Sequence, residues 1–341
     1  MKTRKLGNTT MEVFPVGFGG IPIQRIDSTE VGPIVDEMIL NGINFIDTAR
    51  GYTVSESYLG EALSSGKRKH FFLATKSPAK DYETMKADIA TSLAALKTDN
   101  IDLYQCHLVK NREEYDKIVS EDGAYRALVE ARDEGKIKHI GITAHSVDLL
   151  MEVVDHMPFE TLQFPYNIIE RQAEILFERA KARDIGVIVM KPLAGGAIDN
   201  AQLSLKFILN NPNVSVVIPG MDHVNQVKQN SEVASMSLEL TQDERDEIEV
   251  IRSSLGETFC RRCGYCLPCV QGIDIPTQFI LEGYLTRYNL KEWAQIRYDS
   301  QSVKADACID CGACEPRCPY HLPIRKMLKN VSAQFKANAA L

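Results

Sequence analysis

The sequence contains no long apolar run. Nowhere do the ~18 consecutive apolar residues of a membrane-spanning helix occur, so no transmembrane segment is expected. Basic residues are not in excess. Lys and Arg number 39 against 46 Asp and Glu, a net charge of −7, which gives no global pull toward nucleic acid or an anionic membrane. The opening Met1-Lys-Thr-Arg-Lys-Leu-Gly-Asn begins basic but runs into Gly and Asn. No signal peptide is expected, and the protein is expected to be cytoplasmic. There is no low-complexity linker and no repeat at a solenoid period. Hydrophobic residues make up 44% and charged residues 25%. Disorder, collagen and coiled coil are therefore excluded as the whole architecture. A length of 341 residues suggests about two domains, each able to bury a core.

Cysteine is almost missing from the first 259 residues, which hold only Cys106, read as a buried core thiol. The other eight follow: Cys260, Cys263, Cys266, Cys269, Cys308, Cys311, Cys314 and Cys318. Such clustering marks a separate module. A reducing cytoplasm disfavours disulfides, and cysteines two residues apart point to thiolate ligands. The run Cys308-x2-Cys311-x2-Cys314-x3-Cys318-Pro319 has the bacterial ferredoxin spacing for [4Fe–4S] ligation. Zinc takes separated pairs and only four ligands. The first run, Cys260-x2-Cys263-x2-Cys266-x2-Cys269-Val270, is one spacer residue shorter at its end and lacks the proline. By analogy, Cys260, Cys263, Cys266 and Cys318 hold one cluster, and Cys308, Cys311, Cys314 and Cys269 the other. Four local ligands per cluster is the alternative. Residues 257–341 carry eleven Lys and Arg against eight Asp and Glu, a local excess that offsets cluster charge.

Before residue 257, short apolar runs alternate with amphipathic stretches. The runs begin at Val16, Asn44, Phe71, Ile101, His139, Thr161, Gly186 and Val214. Each is bounded by Gly, Pro, Asn or Asp, the pattern of buried parallel strands. Val31, Ile34, Val35, Met38 and Ile39 share one helical face, as do Tyr82, Met85, Ile89, Leu93 and Leu96. Strand and helix alternating eight times over about 250 residues is the arithmetic of a (β/α)8 TIM barrel, an α/β fold. A doubly wound sheet also alternates, but Gly17-Phe-Gly-Gly20 does not complete G-x-G-x-x-G. Arg4 to Val13 reads as a hairpin turning at Gly7-Asn8, suited to plug the barrel floor. Thr241-Gln-Asp-Glu244 is a capping box opening a further helix to about Leu255. The expected division is a barrel over 1–256, a ferredoxin-like domain over 257–330, and a fraying tail over 331–341.

Barrel chemistry sits where strands end. Asp47 ends the second strand, Lys76 the third and His107 the fourth, and Tyr52 lies in the loop after Asp47. Tyrosine titrates near ~10, too high for an efficient acid at neutral pH. An adjacent ammonium stabilises the phenolate and lowers that value. A carboxylate can orient the ammonium, and a histidine can orient a carbonyl oxygen. Taken singly, such groups are more often structural than functional; four on one rim are a specific signal.

These residues resemble the aldo-keto reductase family over about residues 3–235. Gly42-Ile-Asn-Phe-Ile-Asp-Thr-Ala, Tyr52, Ser55-Glu56 and Leu59-Gly60 match its second-strand signature. The resemblance implies Tyr52 as general acid, Lys76 as modulator of its pKa, Asp47 as partner of Lys76, and His107 as substrate orienter. It implies NADP or NAD across the barrel mouth, near Gly20, Ile21 and Asp47. Thr143 stands where the family holds the carboxamide with Ser, followed by Ala144 in place of Asn, and Gln163 matches the carboxamide-binding glutamine. Met190 replaces a stacking aromatic. Lys191, Leu193 and Ala194 would line the pyrophosphate strap, and Ile218 and Asn230 match the adenine end. Gly220 and Gln226 stand where the family often has Lys and Arg for a 2′-phosphate, so the nicotinamide preference stays open.

The whole chain resembles the branch of this family with a C-terminal ferredoxin-like domain. The expected activity is hydride transfer between NAD(P)H and an aldehyde or ketone, a small-molecule carbonyl substrate. The two clusters then serve electron transfer or structural support. Hydride carries two electrons and a cluster one, so direct exchange needs a splitter such as a flavin. No flavin fingerprint is evident, and a flavin is left open together with a redox partner protein. The alternative is an electron-transfer protein whose barrel binds nucleotide as a regulatory ligand.

Overall fold

The computed structural model describes residues 3–340. Contacts gather the chain into two compact units. The first takes the chain up to Asn167, then Arg171–Pro192 and Asn200–Leu240. The second takes Ile168–Glu170, Leu193–Asp199 and the chain from Thr241 onward. Among the described residues, no helix is long and apolar enough to cross a membrane.

The first unit opens with an antiparallel hairpin, β1 (Arg4–Lys5) and β2 (Glu12–Val13). Eight parallel strands follow: β3 (Phe18–Gly19), β4 (Phe45–Asp47), β5 (Phe72–Ser77), β6 (Ile101–Val109), β7 (Ile137–Ala144), β8 (Thr161–Pro165), β9 (Gly186–Met190) and β10 (Val216–Val217). Each neighbours the next in sequence order. The sheet then closes on itself. The Gly17 amide donates to Val217 O at 2.8 Å, the Val217 amide to Pro15 O at 2.9 Å, and the Gly19 amide to Pro219 O at 2.8 Å. The helices between strands are α1 (Ser28–Leu40), α2 (Ser55–Ala62), α3 (Tyr82–Ala95), α4 (Arg112–Val119), α5 (Ala124–Asp133), α6 (Val147–Val153), α7 (Glu174–Ala182), α8 (Ala201–Leu209) and α9 (Val224–Glu232). The architecture is the (β/α)8 barrel expected from the alternation.

Period-two alternation sorts each strand. Ile46, Leu73, Tyr104 and Ile142 face the core shared with the helices. Phe45, Ala74, Leu103, Ile188 and Val216 join a separate core within the ring. Leu6, Met11 and Val13 of the hairpin complete that inner core and so plug the barrel floor. The plug needs Gly7. Its φ is 59°, and a Cβ there would stand 2.2 Å from the Gly186 nitrogen. Arg4 ties the plug down by donating to Val214 O at 2.7 Å and Leu209 O at 2.8 Å.

The second unit is helical. It holds α10 (Gln242–Gly256), α11 (Ile275–Thr286), α12 (Lys291–Asp299) and α13 (Ile324–Ala339). Thr241 caps α10 through the expected box, and the Glu244 carboxylate accepts from the Thr241 amide at 2.7 Å. Helix α10 lies within residues 1–256, yet its contacts group it with this unit. The stretch from Ser332, expected to fray, is helical through Ala339. Amphipathic spacing outweighs its polar composition: Leu328, Val331 and Phe335 are buried, and Phe335 stacks on Tyr298 at 3.9 Å between centroids.

Candidate functional site

Three strand ends and one loop bring four groups together. Asp47 and Lys76 point into the ring from β4 and β5, and both side chains are almost fully buried. Lys76 Nζ donates to Asp47 Oδ2 at 2.5 Å and to Thr48 O at 2.8 Å. Burial pushes the Asp47 carboxyl up and the Lys76 ammonium down, against their mutual attraction. The turn after β4 then lifts Tyr52: its amide donates to Ala49 O at 3.0 Å, and its carbonyl accepts from the Ser55 amide at 2.8 Å. Lys76 Nζ lies 5.0 Å from the Tyr52 ring centroid. His107 stands edge-on to Tyr52, centroids 6.0 Å apart at 85°.

His107 reaches this position through an irregularity. Strand β6 shifts register against β7 between Cys106 and Val109, and Leu108 adopts φ 56°. The Leu108 amide donates to Thr143 Oγ1 at 2.8 Å. Thr143, expected near the carboxamide, thus has its hydroxyl oxygen engaged beside His107. Cys106 faces the helix-side core, where burial pushes its thiol up to about 12.

Gln105 completes the floor beneath these groups and was not foreseen from sequence. Its Nε2 donates to Asp47 Oδ1 at 3.2 Å. Its signal was present: Leu103 and Gln105 share one face of the strand by period-two alternation. Gly141 leaves room for it, since a Cβ there would meet Thr161 Oγ1 at 2.2 Å and Gln105 Cγ at 3.0 Å. Gln163 also draws the Asp47 carboxyl downward, against the effect of burial. Among the described residues its buried Oε1 has no partner, nor has Gln105 Oε1. An orphaned amide oxygen at Gln163 fits a carboxamide donor, so the residues present are compatible with a nicotinamide group.

The other expected cofactor positions are dispersed along several strand ends. The Gly20 amide donates to Asp47 O at 2.8 Å, and a Cβ at Gly20 would approach Ser55 Oγ at 2.9 Å. Ile21 begins a short turn, and its carbonyl accepts from Gln24 Nε2 at 2.9 Å. Met190 packs at the edge of the inner core, and Ile218 within it. Lys191 takes φ 55°, and its carbonyl accepts from Asn167 Nδ2 at 3.0 Å. Leu193 and Ala194 group with the second unit. Asn230 is buried on α9. Gln226 is structurally committed, its Oε1 accepting from the Asp222 amide at 2.8 Å and the His223 amide at 3.1 Å. A Cβ at Gly220 would stand 2.6 Å from Pro22 Cγ. Neither position carries charge.

The cysteines of the second unit surround two cavities. One is bounded by Cys260, Cys263, Cys266 and Cys318, with Phe279 and Leu322. The other is bounded by Cys269, Cys308, Cys311 and Cys314, with Ile275 and Leu328. Each cavity therefore draws three thiols from one run and one from the other. Four thiols around one void fit a cubane cluster.

Two family profiles match the chain. The aldo/keto reductase family matches residues 15–202 and a 4Fe-4S dicluster domain matches residues 259–323. L-galactose dehydrogenase of Arabidopsis thaliana is 29% identical over 307 residues, covering 74% of this chain and 94% of that protein. Uncharacterized oxidoreductase YqkF of Bacillus subtilis is 25% identical over 72% of this chain and 94% of its own length. Among solved structures, aldo-keto reductase AKR11C1 from Bacillus halodurans in its holo form superposes with a TM-score of 0.61 at 25% identity, covering 74% of this chain and 96% of that one. The chain belongs to the aldo/keto reductase family of oxidoreductases and carries a C-terminal 4Fe-4S dicluster domain.

Proposed function

We propose that the barrel transfers hydride between a nicotinamide dinucleotide and a small aldehyde or ketone, and that the second unit carries two [4Fe–4S] clusters. The observation that carries the first part is the Asp47–Lys76 pair beneath the Tyr52 ring. A nicotinamide dinucleotide, when bound, supplies or accepts the hydride at the carbonyl carbon. In the reducing direction Tyr52 gives its phenolic proton to the carbonyl oxygen. The Lys76 ammonium stabilises the phenolate left behind, because an adjacent cation favours the charged form. Asp47 and Thr48 O hold that ammonium in place. His107 orients the carbonyl oxygen toward Tyr52 from the edge-on position.

Gln163 Oε1 is the acceptor we assign to the carboxamide. Gly20, Ile21, Met190, Lys191, Leu193, Ala194, Ile218 and Asn230 are assigned to the rest of the dinucleotide. Uncharged Gly220 and Gln226 favour NADH over NADPH, since a 2′-phosphate is normally met by Arg or Lys. Cys260, Cys263, Cys266 and Cys318 would hold one cluster, and Cys269, Cys308, Cys311 and Cys314 the other. Bound clusters exchange single electrons, which suits a redox partner protein.

The test is a Tyr52→Phe variant assayed with NADH, NADPH and a panel of carbonyl compounds. Wild type is expected to reduce at least one compound and the variant to lose that activity by two orders of magnitude or more. A wild type that reduces nothing, or a variant that loses nothing, removes the reductase reading. Anaerobically purified protein is expected to hold about eight iron and eight acid-labile sulfide per chain. Zinc instead would remove the cluster reading.

A further inference from the structure

The two cysteine runs share a backbone pattern. Arg262 and Asp310 occupy the same place, one residue before the second cysteine, with φ 59° and 62°. Gly264 and Gly312 follow with φ 84° and 74°, and the exits at Gly272 and His321 take φ 76° and 52°. The pattern is repeated, but the charge is inverted. Asp310 is half exposed and is neutralised by Lys329, 2.7 Å away, and Arg325, 3.6 Å away. Arg262 is buried, with 8% of its side chain exposed, and forms an ion pair with Glu170, which is fully buried at 0%.

Arg262 also contacts the first cysteine through both its backbone and its side chain. Its amide donates to Cys260 Sγ at 3.4 Å, and its Nη1 donates to Cys260 O at 3.3 Å. Its buried Nε has no partner among the described residues. Neighbouring Arg261 donates to Ile169 O at 3.2 Å and lies 3.9 Å over the Tyr320 ring. Both arginines between Cys260 and Cys263 therefore grip the segment Ile168–Glu170, within the same compact unit.

A one-electron reduction adds one negative charge to a cluster and breaks no bond. A nearby cation stabilises the added charge, and an N–H donor to sulfur does the same. In a buried site that effect is weakly screened. We propose that the Arg262–Glu170 pair sets the reduction potential of the cluster held in the Cys260 cavity and leaves the cluster in the Cys308 cavity unaffected. Glu170 is the counterweight: it masks part of the Arg262 charge and holds the guanidinium beside Cys260. The inference rests on the cluster assignment given above.

The experiment is a redox titration of the full-length protein with both clusters loaded, followed by EPR. Glu170→Gln unmasks Arg262. At fixed solution potential it is expected to raise the reduced-to-oxidised ratio of one cluster about tenfold, ~59 mV for one electron. Arg262→Gln is expected to move the same cluster the other way, and Arg262→Lys to restore most of the wild-type value. Asp310→Asn, at the exposed equivalent position, is expected to move the other cluster much less. If both clusters hold their wild-type potentials in Glu170→Gln, or shift together, the proposal fails while the cluster assignment stands. If wild type shows no pair of iron–sulfur signals, the assignment itself fails. Should Arg262→Gln not fold, Glu170→Gln alone still tests the sign.

Discussion

The Thr143 hydroxyl oxygen accepts the amide hydrogen of Leu108 at 2.8 Å, at the point where Leu108 leaves regular strand geometry with φ 56°. His107 is the preceding residue. Thr143 thereby acts as a positioning residue for the proposed substrate orienter. Thr143→Val keeps the shape but removes the acceptor. We expect kcat to fall about tenfold, the equivalent of one hydrogen bond of about 1.4 kcal/mol. Thr143→Ser should retain activity. Equal losses in both variants would point to packing instead.

The Asp47–Lys76 pair separates stability from chemistry. Lys76→Met leaves a buried carboxylate without its cation, which costs roughly 3–5 kcal/mol. The double variant Asp47→Asn/Lys76→Met removes both charges and is expected to recover most of that stability. It should not recover activity, because the cation beneath Tyr52 is still missing. Urea unfolding and steady-state assays on the same samples read the two effects. Recovery of both would show that the pair is structural alone.

Gln226→Arg tests the nicotinamide preference. The substitution adds a cation where the proposed adenine end lies, so KM for NADPH should fall relative to that for NADH. It also removes the acceptor for the Asp222 and His223 amides, at a cost of about 1 kcal/mol in helix capping. A lower Tm with an unchanged cofactor ratio would count against the assigned position.

Asp102 offers a pH test remote from the rim. Burial raises its carboxyl, but Lys138 at 2.8 Å, the Leu73 amide at 2.9 Å and Arg68 at 2.7 Å outweigh that and hold it below the usual range. A depressed folded value means the carboxylate stabilises the fold above its unfolded pKa of ~3.9. That contribution is lost as pH falls through the folded value. Asp102→Asn should therefore be less stable than wild type by roughly 1–3 kcal/mol at pH 7. The gap should narrow in acid, followed by circular dichroism in urea. A gap that widens toward low pH would contradict the assignment.

Much of the architecture was legible in the chain. Bounded apolar runs such as Phe71 to Thr75 became strands, because a strand buried on both faces needs apolar residues throughout. The capping box at Thr241 and the turn at Gly7 declared themselves by local chemistry. Asp47, Tyr52, Lys76 and His107 were readable because strand ends project side chains toward one rim. Other features were not. Alternation along its strand turns Gln105 toward the ring, but its partner Asp47 lies two strands away, a pairing no local pattern encodes. The bulge at Leu108 requires φ 56° from a leucine, and nothing in leucine announces it. The grouping of Ile168–Glu170 and Leu193–Asp199 with the second unit arises from long-range contacts. The burial of Phe335 was hidden by the alanines and asparagines around it.

The hairpin imposes an order on folding. Arg4 is bound to carbonyls at Leu209 and Val214, so the ribosome delivers the plug long before its anchorage exists. Until Val217 has emerged, Leu6, Met11 and Val13 have no finished ring to enter. The barrel floor is thus closed by a hairpin that precedes the ring in sequence only after the last barrel strand is in place, and a nascent protein halted before that would leave the apolar face of the hairpin uncovered.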